Sequence, residues 1–215
     1  MNNNFLSLKI GELTTIDLGY VPEKHNITFN HFFVKGQKTY LTNFIKKIKC
    51  EISKYPLSSA ELYIATSFYH KKDRVINRVE SSDDKRIELL EDINKLIDFR
   101  GNLFKEASSF NFNSYIDNTG SELSRIVLII EYPNYKNSKD LNSISKQIEY
   151  IDRILRLGRS FGVHIFLVLE EYIDIDVAIY SNIDGKIELL DDGNGEISFR
   201  DSKIPKLTFL SNFDK

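Results

Sequence analysis

The sequence predicts an α/β fold in which a mostly parallel sheet is flanked by helices. Residues 126–130 and 163–169 are almost continuously apolar, with no polar alternation. A strand of this kind is covered on both faces, as in a parallel sheet between helices. Long segments with apolar residues at steps of three and four alternate with these strands, which indicates helical crossovers. A chain of 215 residues with 41% hydrophobic content can bury a sizeable core in one domain.

The first half of the chain starts with short strands and continues with a strand and an amphipathic helix. Residues 5–20 alternate in hydropathy, with a turn near Gly11. The predicted helix carries apolar residues at helical spacing on one face: Leu41, Phe44, Ile45 and Ile48. We therefore predict strands at 27–34 and 60–68 and a helix at 39–50.

The second half contains two long predicted helices and a set of short strands. A helix at 83–104 begins after Ser81 and Ser82, which are suitable caps, and a second helix covers 139–158. Buried strands are predicted at 125–130 and 163–169, and shorter ones at 176–180, 186–190 and 196–200. The dipeptide Asn194-Gly195 predicts a hairpin turn between the last two strands.

Composition restricts the setting of the protein. The net charge is −2, which gives no general attraction to nucleic acid. Cys50 is the single cysteine, so no intrachain disulfide forms and a reducing compartment is indicated. No run reaches the roughly 20 apolar residues of a membrane helix, and the start lacks a secretory pattern. We expect a cytoplasmic domain, or one at the inner face of the membrane within a larger complex.

Residues 32–39, FFVKGQKT, have the strand, loop and helix order of a phosphate-binding loop. A working loop, GxxxxGK followed by Ser or Thr, directs several consecutive backbone N–H groups at the phosphates. Here the loop is about three residues too short, and Gln37 replaces the glycine before the lysine. Gly36, Gln37, Lys38 and Thr39 are the candidate nucleotide-binding residues. Lys38 and Thr39 either hold an anion at the helix N-terminus or simply begin the helix.

Several further segments match one family pattern in the same order. Residues 125–135 read RIVLIIEYPNY, beside a family segment RIVVVIDEFAEL, and residues 151–169 read IDRILRLGRSFGVHIFLVL, beside IARxGRAxGIHLILATQRP. Three more family segments have counterparts in the chain. Ile10-Gly11 together with residues 16–18 match the first, residues 92–104 together with 112–115 match the second, and residues 179–187 match the third. Over about residues 9–190 the chain resembles the FtsK/SpoIIIE ATPase domain, a P-loop NTPase with a RecA-like fold. It also resembles the accessory ATPase-like domains of EssC-type type VII secretion motors.

The resemblance implies roles that this chain fills with other residue types. In the family, Asp and Glu at the end of the Walker B strand hold Mg²⁺ and activate water. Glu131 and Tyr132 stand there instead, and Tyr132 has no carboxylate to polarise water. Glu131 either meets a cation or is a strand-end carboxylate held by its neighbours. Glu170 and Glu171 replace the family's sensor Gln and Arg, and their charges would repel a triphosphate.

These three losses predict a catalytically inactive domain with no catalytic residue, no metal and no cofactor. If the shortened loop still binds a ligand, that ligand is ATP with Mg²⁺. The expected partners are proteins, such as secretion substrates or neighbouring ATPase domains, with the membrane reached only through a larger assembly. We expect Gln37, Tyr132, Glu170 and Glu171 to form the partner-binding surface. The alternative is a nucleotide-binding FtsK-like DNA translocase or conjugation accessory domain with unusual motifs.

The sequence divides as a single domain over 1–215, with short strands at 1–25, a RecA-like core at 26–190 and a C-terminal hairpin and tail at 191–215. Two other groups have an ordinary structural interpretation beside a functional one. His164 is either a core histidine or a ligand, and the lysines at 46–54 are either a solvated helix face or DNA-phosphate contacts.

Overall fold

The computed structural model describes residues 5–9, 15–20, 28–29, 31–72, 74–133, 140–170, 175–190, 194–200 and 207–210. The strands are β1 (Phe5–Lys9), β2 (Thr15–Tyr20), β3 (Thr28–Phe29), β4 (His31–Lys35), β5 (Ala60–Ala65), β6 (Ile76–Glu80), β7 (Arg125–Glu131), β8 (Val163–Leu169), β9 (Gly185–Leu189), β10 (Asn194–Phe199) and β11 (Leu207–Leu210). The helices are α1 (Lys38–Ile52), α2 (Asp83–Glu106), α3 (Phe112–Thr119), α4 (Leu141–Phe161) and α5 (Val177–Tyr180).

The main sheet has the strand order β11-β10-β9-β4-β8-β7-β5-β6. The strands from β9 to β6 are all parallel, and β10 and β11 join the β9 edge in antiparallel pairing. Strand β8 is buried along its whole length, and β7 along all but its last residue. The predicted α/β class, with a mostly parallel sheet and short antiparallel strands near the termini, is therefore confirmed.

Alternate side chains of each buried strand enter two different cores. Val127 and Ile129 of β7 lie in the core that includes Phe44 of α1. Ile126 and Ile130 lie in the opposite core, with apolar residues from α2 and α4. This is the period of two expected for a strand. The four apolar residues predicted on one face of the first helix, Leu41, Phe44, Ile45 and Ile48, are all fully buried.

The small sheet β1-β2-β3 rests against the α1 side of the domain. Leu8 is fully buried in the same core as α1. The Tyr55 hydroxyl, just after α1, accepts from the Ser7 amide at 2.9 Å and donates to the Ser7 carbonyl at 3.0 Å. These contacts fix the N-terminal strands to the main body.

Strands β4 and β8 are neighbours, but the chain leaves them in opposite directions. From β4 it passes through α1 to β5, beyond β8 and β7, whereas from β8 it passes through α5 to β9 on the other side of β4. In open α/β sheets a crevice forms at such a reversal, outside the carboxyl ends of the strands. The carboxyl ends of β4 and β8 therefore define where a ligand site would be expected.

At the amino ends of the strands, two buried arginines hold α3 in place. Arg100 donates to the carbonyls of Phe161 and Ser124, both at 2.6 Å, and Arg125 donates to Asn113 at 2.7 Å. The two guanidinium carbons lie 5.5 Å and 4.5 Å from the centre of the Phe112 ring. Burial lowers the pKa of both arginines to about 10, which leaves them charged at neutral pH.

His164 is fully buried beside this pair, 3.4 Å from Arg125. Burial, followed by the charge of Arg125, lowers the pKa of His164 well below its ordinary value. The imidazole is therefore neutral at pH 7 and has the position of a core histidine.

Several local predictions are wrong. Residues 177–180 form the helix α5 instead of a strand, because the Asp176 side chain accepts from the Ala178 amide and starts a helical turn. Asn194 and Gly195 are not a hairpin turn, since they pair with Leu210 and Leu189 inside the sheet. The predicted 27–34 strand divides into β3 and β4, and β6, β11 and α3 were not predicted. Gly11 lies outside the described residues.

Among the helices that the structure describes, none is both long and apolar enough to cross a membrane.

Two glycines that end helices provide a matched stability test. Both adopt left-handed backbone angles, with φ of 71° at Gly162 and 65° at Gly120. A Cβ at Gly162 would lie 2.8 Å from two atoms of the Phe112 ring, whereas a Cβ at Gly120 would meet nothing within 4 Å. We expect Gly120→Ala to cost about 1 kcal/mol of unfolding free energy, from backbone strain alone. Gly162→Ala should cost about 3 kcal/mol, since it adds ring displacement to the same strain.

Urea unfolding followed by circular dichroism measures both costs. Equal losses in the two variants would show that α3 does not press on Gly162 as described.

Candidate functional site

The connection from β4 to α1 consists of Gly36 and Gln37 alone. The Gly36 amide donates to the Leu169 carbonyl at 3.1 Å, which continues the β4–β8 ladder one residue beyond the strand. Helix α1 then begins at once, with its first bond from the Leu41 amide to the Gln37 carbonyl at 2.9 Å. Of the short loop's two amides, one is thus committed to the sheet.

Gly36 is required for packing at this point. A Cβ placed on Gly36 would lie 2.9 Å from the Leu189 Cβ and 3.4 Å from the Leu189 carbonyl oxygen. Such distances are too short for a side chain without movement of β9. The single glycine of the loop is therefore explained by the neighbouring strand, and no phosphate needs to approach it.

Lys38, at the position of the P-loop lysine, is paired with an acid of the same chain. Its Nζ lies 3.3 Å from Oε1 of Glu170, and the two side chains are 60% and 33% exposed. Glu170 directly follows β8, where the resemblance expects a sensor residue. The ammonium group of Lys38 is therefore already paired with a carboxylate from the end of β8.

Glu131, at the end of β7, is held by its neighbours. Its carboxylate accepts from the Ser67 amide at 2.6 Å, from the Ser67 hydroxyl at 3.0 Å and from Arg86 Nη1 at 3.1 Å. The Glu131 and Arg86 side chains are 20% and 11% exposed. Of the two interpretations open at the sequence level, the structure favours a strand-end carboxylate with internal partners.

Tyr132 is a core residue in this structure. It is 3% exposed and lies among the apolar side chains beneath α2 and α4. Its amide donates to the Val168 carbonyl at 3.0 Å, which extends the β7–β8 pairing. Its side chain is therefore not available to a partner, and we leave Tyr132 out of the contact surface predicted from the sequence.

A second charged group lies beside the loop on β9. Glu188 accepts from Lys186 at 3.0 Å and from Lys35 at 3.2 Å. The hydrogen bond from Lys186 and that from Lys35 lower the pKa of Glu188 despite its partial burial. The ammonium groups of Lys35, Lys38 and Lys186 at this end of the sheet are thus each paired with a carboxylate.

The fold does bring the three degenerate motifs together. Gly36, Glu131 and Glu170 lie at the carboxyl ends of the adjacent strands β4, β7 and β8. Gln37 and Thr39 are exposed at the start of α1, and Glu171 lies outside the described residues. Sequence reasoning missed Ser67 and Arg86, which are 64 and 45 residues from Glu131 and carry no motif. Within the described ranges, no three His, Cys, Asp or Glu residues are grouped as metal ligands.

The chain is similar in sequence to part of one known protein and in fold to several solved structures. No family model matches the chain. Over 116 residues, or 54% of its length, it is 27% identical to the type VII secretion system protein EssC of Staphylococcus aureus strain MRSA252. The match spans 8% of EssC, so the chain corresponds to a small part of that protein.

Solved structures of ATPases share the fold. The pCW3 conjugation coupling protein TcpA, solved with ATPγS, has a TM-score of 0.74 at 16% identity, over 96% of this chain and 65% of TcpA. ATPases 2 and 3 of EssC from Geobacillus thermodenitrificans have a TM-score of 0.66 at 15% identity, over 97% of this chain and 45% of the EssC chain. ATPases 2 and 3 of Thermomonospora curvata EccC, solved with a signal sequence peptide, have a TM-score of 0.62 at 14% identity, over 96% of this chain and 40% of the EccC chain. The chain is thus similar to FtsK/SpoIIIE-type ATPase domains, EssC among them, and has their fold.

The two acidic positions should differ in their contribution to stability. Glu131→Gln removes the charge that faces Arg86 and Ser67 in a mostly buried cluster, which should cost about 1–2 kcal/mol. Glu170→Gln breaks a partly exposed ion pair, which should cost less than about 1 kcal/mol. Chemical unfolding of the two variants measures the difference. A cost for Glu170→Gln equal to or above that for Glu131→Gln would contradict the assignment of Glu131 as the internally held carboxylate.

Proposed function

We propose that this chain is a non-catalytic ATPase-like domain that acts as a protein-interaction, substrate-docking or regulatory module of a bacterial secretion motor of the type VII, EssC-like kind. The observation that carries the proposal is the two-residue β4–α1 connection, in which the Gly36 amide bonds to Leu169 and Lys38 pairs with Glu170. The domain keeps the framework of a motor ATPase and has lost its phosphate cradle.

The loop does not fit a nucleotide bound in the P-loop manner. Such binding needs a run of amides around the β-phosphate, and here the sheet takes one of the two loop amides. A triphosphate would also have to displace Glu170 from Lys38, against the repulsion between carboxylate and phosphate. We therefore assign the domain no cofactor.

The Walker B end does not fit water activation either. Glu131 would have to leave Ser67 and Arg86 before it could meet a metal ion. Tyr132 is buried and has no carboxylate to take a proton from water. Glu131 and Tyr132 thus keep the packing at the Walker B positions but do not supply the groups that ATP hydrolysis needs. This pattern favours a domain kept for its fold over one kept for hydrolysis.

Protein partners are supported by the similar proteins. EccC of T. curvata has been solved in complex with a signal sequence peptide, and EssC is a type VII secretion system protein. We infer that this domain takes part in an assembly of the same kind, by contact with secreted proteins or with other ATPase domains. Its contact surface at the sheet end would include the exposed Gln37 and Thr39 and the Lys38–Glu170 pair.

The alternative, a nucleotide-binding conjugation accessory domain, is favoured by the 0.74 TM-score with TcpA. It requires that ATP opens the Lys38–Glu170 pair and uses the remaining helix amides. The two functions therefore predict different nucleotide affinities for the same purified chain.

Calorimetry with Mg²⁺-ATP separates them. The proposal predicts no binding up to about 1 mM ATP, the level that a weak specific site would reveal. Micromolar binding that disappears in Lys38→Ala would establish the alternative and overturn the inactive assignment.

The interaction half of the proposal has its own measurement, which uses the cytoplasmic part of an EssC-type motor from the same genome as the probe. Binding should weaken about tenfold in the double variant Gln37→Arg with Glu170→Lys, as for a disturbed interface centre. Glu149→Lys is the charge-reversal control, because Glu149 is exposed in the middle part of α4. Absence of motor binding by the unaltered chain, or equal losses in both variants, would place the partner or the surface elsewhere.

A further inference from the structure

The opposite end of the domain carries a pocket that the ATPase framework does not use. Its volume is about 430 Å³, and it is lined by Gly101, Phe104, Lys105, Ser108, Ser109, Phe110 and Phe161. These residues come from the end of α2, the α2–α3 corner and the end of α4. Helix α2 begins at the carboxyl ends of the strands, where its Arg86 bonds to Glu131. It ends at the amino ends of the strands, where its Arg100 bonds to the Ser124 carbonyl. The pocket is therefore far from the Lys38–Glu170 pair.

Phe110 is exposed and, within the described part of the chain, its ring belongs to none of the hydrophobic clusters. It precedes the α3 cap Asn111, a position from which an apolar side chain often covers the residue four places into the helix. That residue, Tyr115, instead stacks on Phe104 with ring centres 4.9 Å apart, and Phe110 remains 93% exposed. A bound partner that covered the Phe110 ring would remove this apolar surface from water, which stabilises a complex.

Ring stacking and hydrogen bonds connect the walls of the pocket. Phe161 stacks on Phe104 at 5.5 Å, and its carbonyl accepts from the buried Arg100. Gly101 lines the pocket without a side chain and so leaves space between α2 and α4. A Cβ at this position would lie in ordinary contact with the Phe161 ring, at 3.6 Å. The Asn111 side chain and the Ser114 hydroxyl form a reciprocal cap that fixes the corner carrying Phe110. A guest would thus meet a preformed apolar hollow and lose little free energy in ordering it.

The charge at the rim indicates what the guest carries. Lys105 is exposed and is the charged residue in the lining. In the described part of the chain its ammonium group has no ion-pair or hydrogen-bond partner, whereas most other cations on this face, such as Arg153 with Asp98, are matched. An apolar hollow beside an unmatched ammonium group is complementary to an apolar side chain that lies close to a carboxylate.

We propose that this pocket docks a segment of a partner protein that presents a leucine- or phenylalanine-sized side chain next to an acidic group. A protein segment is favoured over a small molecule because Phe110 is almost wholly exposed at the rim, and only a larger surface would cover it. Aromatic anchors of this kind supply much of the binding energy of protein interfaces. The proposal does not depend on whether the distant sheet end binds nucleotide.

Two small probes of equal shape and opposite charge test the pocket on the intact chain. In ¹H–¹⁵N NMR titrations, 3-phenylpropionate should shift the amides of Gly101, Ser108 and Phe110 with a Kd of a few millimolar, as expected for a fragment. 3-Phenylpropylamine should bind at least about fivefold more weakly, because it meets the Lys105 charge. Lys105→Glu should reverse this preference.

Phe110→Ala should weaken the binding of 3-phenylpropionate about fivefold or more, because the part of the ring that lines the pocket would contact the phenyl group of the probe even though the probe does not cover the whole ring. Phe99→Ala is its control, because Phe99 is 61% exposed on the same helix but does not line the pocket. No shift by about 20 mM probe, equal binding of the two probes, or equal losses in both phenylalanine variants would overturn the proposal. So would self-association of the chain that Phe110→Ala abolishes, since the occupant would then be a second copy. None of these outcomes depends on ATP binding, so this proposal and the proposed function can fail separately.

Discussion

The hydrogen bond from the Gly36 amide to the Leu169 carbonyl is the constraint on which the rest of the sheet end depends. It continues the pairing of β4 with β8 beyond the last residue of the strand and leaves one residue before α1. Because α1 is anchored by Leu41, Phe44 and Ile48 in a fully buried core, it cannot slide to lengthen the connection. The Leu189 side chain closes the remaining space above Gly36. The connection between β4 and α1 is therefore held at two residues, which is shorter than the loop of a GxxxxGK motif.

Four described cations at this end of the sheet are paired with carboxylates of the same chain. Lys38 pairs with Glu170, Lys35 and Lys186 with Glu188, and Arg86 with Glu131. In a working P-loop the lysine at the position of Lys38 compensates phosphate charge, whereas here its ammonium group is paired with Glu170. The partly exposed pairs contribute little to stability, so their main consequence is the charge pattern presented to a partner.

The sequence predicts the buried strands and long helices well because their signals are local. The apolar run of β8 and the three-and-four spacing of α4 each identify an element without any partner. Strand β6 is not predicted because its residues, INRVE, are mostly polar and give no strand pattern. Its pairing with β5, across an intervening loop, is a tertiary contact that the sequence does not show. The turn assigned to Asn194-Gly195 fails because pairing with Leu189 and Leu210 on both sides outweighs the turn preference of the dipeptide.

The candidate site shows the same division. The short loop and the substitutions at 131, 132 and 170 are visible in the sequence, because the resemblance supplies positions for comparison. The partners that hold Glu131 and the burial of Tyr132 depend on the tertiary fold, so no spacing could reveal them.

Hydrogen exchange at the Gly36 amide reports whether this group is bonded to the sheet. If this amide belongs to the sheet, it should exchange slowly in the free protein, as its neighbours in β4 do, and Mg²⁺-ATP should leave its rate unchanged. Fast exchange in the free protein that slows when Mg²⁺-ATP is added would contradict the account, since the amide would then serve a phosphate.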